Sequence, residues 1–375
     1  MMERGVGTEM IGAGRGMMVA VMTPFGLERL GIVMTPDPDD PREAWGVLNP
    51  GGARGPDGAY YLFPRLVAEG NFSRIGHARV LFDRTGTPSG VERLGAVLEP
   101  REPYEVTRLG GGVEDPRVTY LRPLGRYVML YTAYTAHRAR IALAVSRDLV
   151  AWERLGLLRF ATRPDEVDLT ECNNKDGLLF PDVVPDPQGR PSVAIIHRPT
   201  LPAPRQEAAR PMQEPERGVG HQEMIWISFA PLDDAALDIH HLTLVHEHRV
   251  LMAPEADWEN VKLGGGAPPV RLPYGWLLLY HGVSDGPTAS GTLKRYCAGA
   301  AVLALDNPTS VLYRSPRPIL EPERTYETQG IVPRVVFPTA TDLRADGHLD
   351  VYYGAADSVI GVARMAIPAH LPPQE

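Results

Sequence analysis

The sequence predicts an all-β fold, a five-bladed β-propeller, on three observations. Glycine and proline are abundant, 38 and 37 of 375 residues, and spread evenly, while long helical periodicities are absent. Short runs rich in Val, Ile, Leu and Tyr recur between turn signals, as in RYVMLYTAY, SVAIIHRP, GWLLLYHGV and LDVYYGAAD. These runs belong to a unit that occurs five times at nearly equal spacing, and equal β units repeated radially make a propeller.

Each unit opens on a small or polar residue before a proline, then a short strand, a Gly-containing turn and a second strand. The first is LNPGGARGPDGAYYLFPRL, around Pro50, and the second is EDPRVTYLRPLGRYVMLYTAY, around Pro116. The third is LFPDVVPDPQGRPSVAIIHRP, around Pro181, the fourth APPVRLPYGWLLLYHGV, around Pro269, and the fifth IVPRVVFPTATDLRADGHLDVYYGAAD, around Pro333. Successive prolines are 66, 65, 88 and 64 residues apart. The long interval contains LPAPRQEAARPMQEPERGVGHQ, read as a loop inserted at 201–222. Outer pieces repeat as well. ERLG begins at Glu28, Glu92 and Glu153, and VLEPREPYE (97–105), VLMAPEADWE (250–259) and ILEPERTYE (319–327) share an apolar–Pro–Glu–aromatic–Glu pattern. Residues 1–26 read as a partly flexible leader rather than a secretion signal, because two acidic residues, Gly and Pro interrupt its apolar patch. Residues 27–370 read as one propeller domain.

Composition narrows the function. With 46 acidic against 38 basic residues, net charge −8, neither nucleic acid nor an anionic membrane is an expected partner. No apolar run reaches the ~18 residues of a membrane span. Two cysteines, Cys172 and Cys297, supply neither a disulfide framework nor a thiolate zinc site, and a reducing, cytoplasmic setting is expected. An assembly of identical chains is compatible with this composition.

In a propeller the innermost strands line the central channel, and the start of a hairpin's first strand meets the end of its second. The residues at those ends are Asn49 with Arg65, Glu114-Asp115 with Tyr134, Lys175-Asp176 with His197-Arg198, Lys262 with His281, and Gln329 with Asp357. So many ionisable groups converging beside a core point to a used site, since unpaired buried charge is costly. The GGG runs at 110–112 and 264–266 precede no helix, so they are not phosphate loops of the P-loop kind. His240-His241 and His246-x-His248 fall on an outer strand or loop, and no metal site is expected. Carboxylates among cations suit acid-assisted displacement at a sugar. One carboxylic acid protonates the leaving oxygen. A second carboxylate would activate water, or a cation cluster would hold an inorganic phosphate that attacks by itself. On this argument Glu114 and Asp115 serve equally well as the acid.

GGGVEDPR, RYVMLYTAY, NNKDGLLFP, HRP, GGGAPPV, YHGV and YYGAAD occur in this order, from about Val47 to Asp357. The set resembles glycoside hydrolase family 130, which contains β-mannoside phosphorylases and a minority of β-1,2-mannosidases. The resemblance implies a five-bladed propeller. It implies Asp115 as general acid, acting through the sugar's 3-hydroxyl. It implies sugar-binding roles for Asn49, Arg65, Lys262 and Asp357, with Glu114 and His281 beside them. It places Arg140, Lys175, His197 and Arg198 where phosphate ligands are expected. Arg117, on the other face of its strand by period-two alternation from Pro116 onward, is read as bracing the blade. The reaction so implied is inverting phosphorolysis of a β-mannoside to α-mannose 1-phosphate. Inorganic phosphate is the co-substrate, and no cofactor is implied. NNKDGLLFP and the long loop favour β-1,2 over β-1,4 linkages. Hydrolysis is the alternative, with Glu171, Asp176 or Glu223 as second base. A non-catalytic, glycan-binding propeller is the third reading.

Overall fold

The computed structural model describes residues 24–108, 110–136, 138–162, 167–201, 223–288 and 291–374. The leader through residue 23 and the inserted loop from 202 to 222 lie outside the described residues. Within them the fold is all-β, and its two α-helices are short, Leu232–Leu237 and Thr325–Thr328. The hairpins of the first, second and fifth units form where the sequence places them; in the third and fourth the main first strand, Asn173–Leu179 and Lys262–Gly265, precedes the unit's proline, and only the short Val184–Pro185 and Val270–Leu272 follow it. Arg126–Thr135 and His348–Ala355, for example, are buried along almost their whole length, as strands covered on both faces should be.

Each hairpin is extended by two more strands, giving five groups of four. They are Gly46–Arg54, Tyr60–Ala68, Phe72–Phe82 and Pro88–Leu98; Gly110–Leu121, Arg126–Thr135, Ala139–Ser146 and Glu153–Leu157; Asn173–Leu179, Pro191–Thr200, Ile225–Pro231 and Leu244–Met252; Lys262–Gly265, Gly275–Thr288, Gly291–Leu303 and Val311–Arg314; and Val336–Leu343, His348–Ala355, Val359–Ala366 and, from the other end of the chain, Leu27–Met34. Neighbouring strands within a group are antiparallel. By hydrogen bonding the sheets number four, of 4, 9, 6 and 5 strands, and none closes on itself among the described residues. The nine-stranded sheet is the first two groups, joined by a single parallel bridge, Ser73 to Gly112, together with the short strand Val106–Thr107 paired to Gly110–Leu121.

Five apolar cores lie between consecutive groups. Phe63, Ile75 and Leu98 pack on Met129 and Ala144; Leu130 and Leu143 on Leu179 and Ile195; Ile196 and Phe229 on Leu278 and Tyr280; Leu279 and Val302 on Val336 and Tyr353. The fifth core joins Val47, Leu62 and Val80 to Ala340, Tyr352 and Val362, so the last group packs on the first. Phe25, inside the stretch read as leader, is 1% exposed and packs against Tyr313 at a 5.5 Å ring separation.

The outer repeats have a common physical cause. The arginine of each ERLG pairs with a buried glutamate: Arg29 with Glu327 at 2.8 Å, Arg93 with Glu43 at 2.8 Å and Arg154 with Glu105 at 2.8 Å. Arg314 and Glu259 make the same pair in the fourth group. Glu105 and Glu327 are the last residues of the Pro–Glu–aromatic–Glu pieces. Each also takes a tyrosine hydroxyl from its hairpin, Tyr131 at 2.6 Å and Tyr353 at 2.9 Å. The third group uses imidazoles instead. His248 Nε2 donates to the Ala161 carbonyl at 3.1 Å, its Nδ1 shares a hydrogen bond with Ser228 Oγ at 2.9 Å, and Ser228 Oγ shares another with His197 Nε2 at 2.8 Å.

Candidate active site

Three inner strands carry the same kink. Between Leu48 and Gly51, Glu114 and Arg117, and Lys175 and Leu178, the first strand has one residue more than its partner. The extra residue is a β-bulge with left-handed backbone: Asn49 at φ 43°, Asp115 at φ 48° and Asp176 at φ 56°. Asn and Asp tolerate this region better than most side chains. Pro50 and Pro116 follow the first two bulges directly, but in the third group Gly177 takes that place and Pro181 falls beyond the strand. Asp357 reaches the same end by another route. Ala356 and Asp357, at φ 47° and 49°, are the centre of a tight hairpin turn closed by Ser358 N–H to the Ala355 carbonyl at 3.0 Å.

Side chains from all five groups meet in one cavity of 260 Å³, among them Asn49, Asp115, Lys175, Arg198, Lys262 and Asp357. A second cavity of 400 Å³ adjoins it, sharing Arg65, Lys175, Val332 and Asp357 and adding Trp45, Asn71, Glu114 and Tyr134.

Asp115 accepts from Asn49 Nδ2 at 2.9 Å and from Arg65 at 3.3 Å. Arg65 also donates to Ser73 at 2.8 Å, Asn71 at 3.0 Å and Glu114 at 2.7 Å. Lys175 lies 3.5 Å from Glu114. Burial would raise the Asp115 pKa, but Arg65, Lys175, Arg117 and the Asn49 hydrogen bond outweigh it and hold the carboxyl below its ordinary range. Asp357 goes the other way, to about 6, through burial and the neighbouring charges of Asp115 and Glu114, which Arg65 offsets in part. Arg117 is fully buried, donates to the Gly266 carbonyl and to the Asp115 carbonyl at 2.9 Å, and stacks on Phe337. It thus ties the acid's own backbone to the fourth and fifth groups.

Across the inner cavity Arg198 donates to Asp176 at 2.6 Å and to Glu223. Glu223 also takes Thr200 Oγ1 at 2.5 Å and lies 3.5 Å from Lys262. His281 stands 3.8 Å from Asp176 and edge-on to Phe337. Burial holds its pKa down to about 3, so it is a neutral wall of the site.

Asp115 thus faces the cations Lys175, Arg198 and Lys262 across one cavity. The sequence profile of glycoside hydrolase family 130, described as beta-1,4-mannooligosaccharide phosphorylase, matches residues 39–369. The chain belongs to this family. A 1,2-beta-oligomannan phosphorylase of Thermoanaerobacter sp. (strain X514) is 33% identical over 256 residues, 67% of each chain. A beta-1,2-mannobiose phosphorylase of the same organism is 31% identical over 263 residues, 69% of this chain and 68% of that one. Among solved structures, the beta-1,2-mannobiose phosphorylase of Listeria innocua in complex with beta-1,2-mannobiose superposes with a TM-score of 0.65 at 24% identity, covering 91% of this chain and 97% of that one.

In this family 130 chain the inner and outer cavities together bring in Asn49, Arg65, Glu114, Asp115, Lys175, Arg198, Lys262, His281 and Asp357, all singled out by the sequence. Two expected phosphate ligands stand apart. Arg140 lies half-buried on Ala139–Ser146, paired with Ala133, and lines neither cavity. His197 is fully buried, with Nε2 on Ser228 and Nδ1 accepting from Asn174 at 3.1 Å, so both ring nitrogens are engaged away from the site. Strand alternation explains it: Arg198 and His197 are consecutive and face opposite ways. Of the second-base candidates, Glu171 pairs with Arg138 outside the cavities, while Asp176 and Glu223 line the inner one. Tyr296, Phe337 and Trp45 line the cavities without having been singled out. The strand alternation of KRYCAGA could have signalled Tyr296, but nothing local marks the other two.

Proposed function

We propose that this protein is an inverting β-mannoside phosphorylase acting on β-1,2-linked mannobiose or short manno-oligosaccharides, with inorganic phosphate as co-substrate and α-mannose 1-phosphate as product. One observation carries the reading: the Asp115 carboxylate, held by Asn49 and Arg65, shares a cavity with the cations Lys175, Arg198 and Lys262. The names of the relatives support it, and their β-1,2 specificity supports the linkage. The five strand groups, the five cores and the return of the last core to the first support a five-bladed propeller with the site in its central channel. Two free, buried cysteines and the lack, among the described residues, of any helix long and apolar enough to cross a membrane agree with a cytoplasmic setting.

The sugar at the bond to be broken sits among Asn49, Arg65, Lys262, His281 and Asp357. Phosphate sits among Lys175, Arg198 and Lys262, and attacks the anomeric carbon as the bond to the leaving oxygen breaks. Asp115 supplies that oxygen's proton, and the proton carried by the hydrogen phosphate restores it. A bound phosphate adds negative charge beside Lys175, one of the cations that keep Asp115 ionised. Its arrival therefore raises the proton affinity of the acid when the acid is needed. His197 contributes from outside the cavity, by holding its strand to Asn174 and Ser228.

The test is product analysis on β-1,2-mannobiose with and without phosphate. α-Mannose 1-phosphate formed only with phosphate is expected, while free mannose at equal rate without phosphate would make the enzyme a hydrolase. The presence of Glu223 in the cavity is what favours that second reading, as a base for water. The Asp115→Asn variant is expected to lose about 10²- to 10⁴-fold in kcat, and unimpaired turnover would remove Asp115 from the mechanism.

A further inference from the structure

We propose that Glu223 is a built-in occupant of the phosphate site, and that phosphate binds by displacing its carboxylate. The proposal rests on the phosphorylase reading and adds to it a residue that sets phosphate affinity.

The carboxylate of Glu223 gathers three donors. Arg198 Nη1 and Lys262 Nζ, the latter at 3.5 Å, reach one oxygen, and Thr200 Oγ1 reaches the other at 2.5 Å. A guanidinium, an ammonium and a hydroxyl converging on two oxygens is the donor set that a phosphate oxyanion uses. Two carboxylates share Arg198, but they differ in freedom. The Asp176 side chain is 4% exposed and that of Glu223 is 21% exposed. Asp176 holds the Nε edge of Arg198 from below, so the guanidinium keeps its place when Glu223 leaves.

The backbone of Glu223 is pinned. Its carbonyl accepts from Leu263 N–H at 3.1 Å, and the residue is bridged to Lys262. The exchange is therefore a rotation of one flexible side chain towards solvent, with no movement of the strand. Until it rotates, the carboxylate satisfies cations that would otherwise face each other across an empty cavity. Arg198, Thr200 and Lys262 hold it as an anion, burial notwithstanding. An occupant of this kind lowers the apparent affinity for phosphate by the fraction of time the site is open. It also keeps water, in the absence of phosphate, from the face the nucleophile uses.

The experiment is the Glu223→Gln variant in phosphorolysis of β-1,2-mannobiose, with phosphate and disaccharide varied separately. Glutamine keeps the size and loses the charge. KM for phosphate is expected to fall about tenfold while KM for the disaccharide stays in place, since removing a competing anion acts on one substrate only. An unchanged or raised phosphate KM in the folded variant overturns the proposal. So does selective loss of a phosphate-independent mannose release that the wild type shows, because Glu223 would then be a base. If the glutamine variant does not fold, Glu223→Asp withdraws the carboxylate by one methylene. A smaller fall in phosphate KM is then expected, and no fall overturns the proposal. Wild-type enzyme that releases mannose equally with and without phosphate refutes the phosphorylase reading itself, and the proposal with it.

Discussion

Asp115 and Asp357 share one cavity and one arginine, yet their environments push their proton affinities apart. The cations and Asn49 keep Asp115 ionised, whereas Asp357, on its left-handed turn, takes up a proton as pH falls towards 6. The raised Asp357 has a consequence for stability. Its folded pKa lies above its unfolded value, so between about pH 4 and pH 6 the folded state binds the extra proton. That contribution is complete below the unfolded pKa and is lost as pH rises through about 6. Asp357→Asn is therefore expected to flatten the fall in stability between pH 4 and pH 6, by on the order of 2 kcal/mol after allowing for partial exposure. Urea titrations at the two pH values check it. An identical pH slope in both proteins would mean that Asp357 titrates normally.

Among the elements, the inner strands show how backbone conformation selects chemistry. A bulge turns Asn49, Asp115 and Asp176 into the cavity, each at the same point of its hairpin. The fourth group pairs Gly264 with His281 without any bulge and leaves the space open through its glycines. A Cβ on Gly264 would lie 2.2 Å from Asp176 Oδ2, 2.5 Å from His281 Cε1 and 2.8 Å from Arg198 Nε. Gly264→Ala is expected to cost about 1–3 kcal/mol, the range of an overpacked core. It should also raise KM for phosphate by displacing Arg198. A variant with wild-type melting and wild-type phosphate KM would show that the cluster can move aside. Legibility at this scale was uneven. The hairpins follow from alternating apolar runs between turns. The phase of the third unit does not, because Gly177 replaces the proline that marks the other bulges. His197 and Arg140 read as ligands from motif position, but tertiary packing turned one inwards and left the other outside the cavities.

For the whole molecule, the first strand decides how the ends meet. Leu27–Met34 pairs with Val359–Ala366 and covers what would otherwise be an open sheet edge. Arg29 fastens it with two hydrogen bonds to Glu327, at 2.8 and 3.0 Å, and one to the Glu321 carbonyl at 2.5 Å. Glu327 is fully buried, so Arg29→Ala would leave a carboxylate with only Tyr353 and backbone donors. The expected loss is about 3–5 kcal/mol, read from the denaturant midpoint. A change within about 0.5 kcal/mol, the size of an ordinary surface substitution, would mean that this pair does not fasten the closure.

The sequence by itself determined the strand class, the five units and their order, and most of the residues that meet at the site. Strand alternation, turn residues and repeat spacing are local properties, and equal repeats place equivalent positions at one end. Only the tertiary structure decided which charges are paired with which. The partners Arg65 and Asp115, Arg198 and Glu223, and Arg29 and Glu327 lie 50, 25 and 298 residues apart. Proton affinity and open space at the site depend on the summed field and burial from all five groups. No segment of the chain carries that information alone.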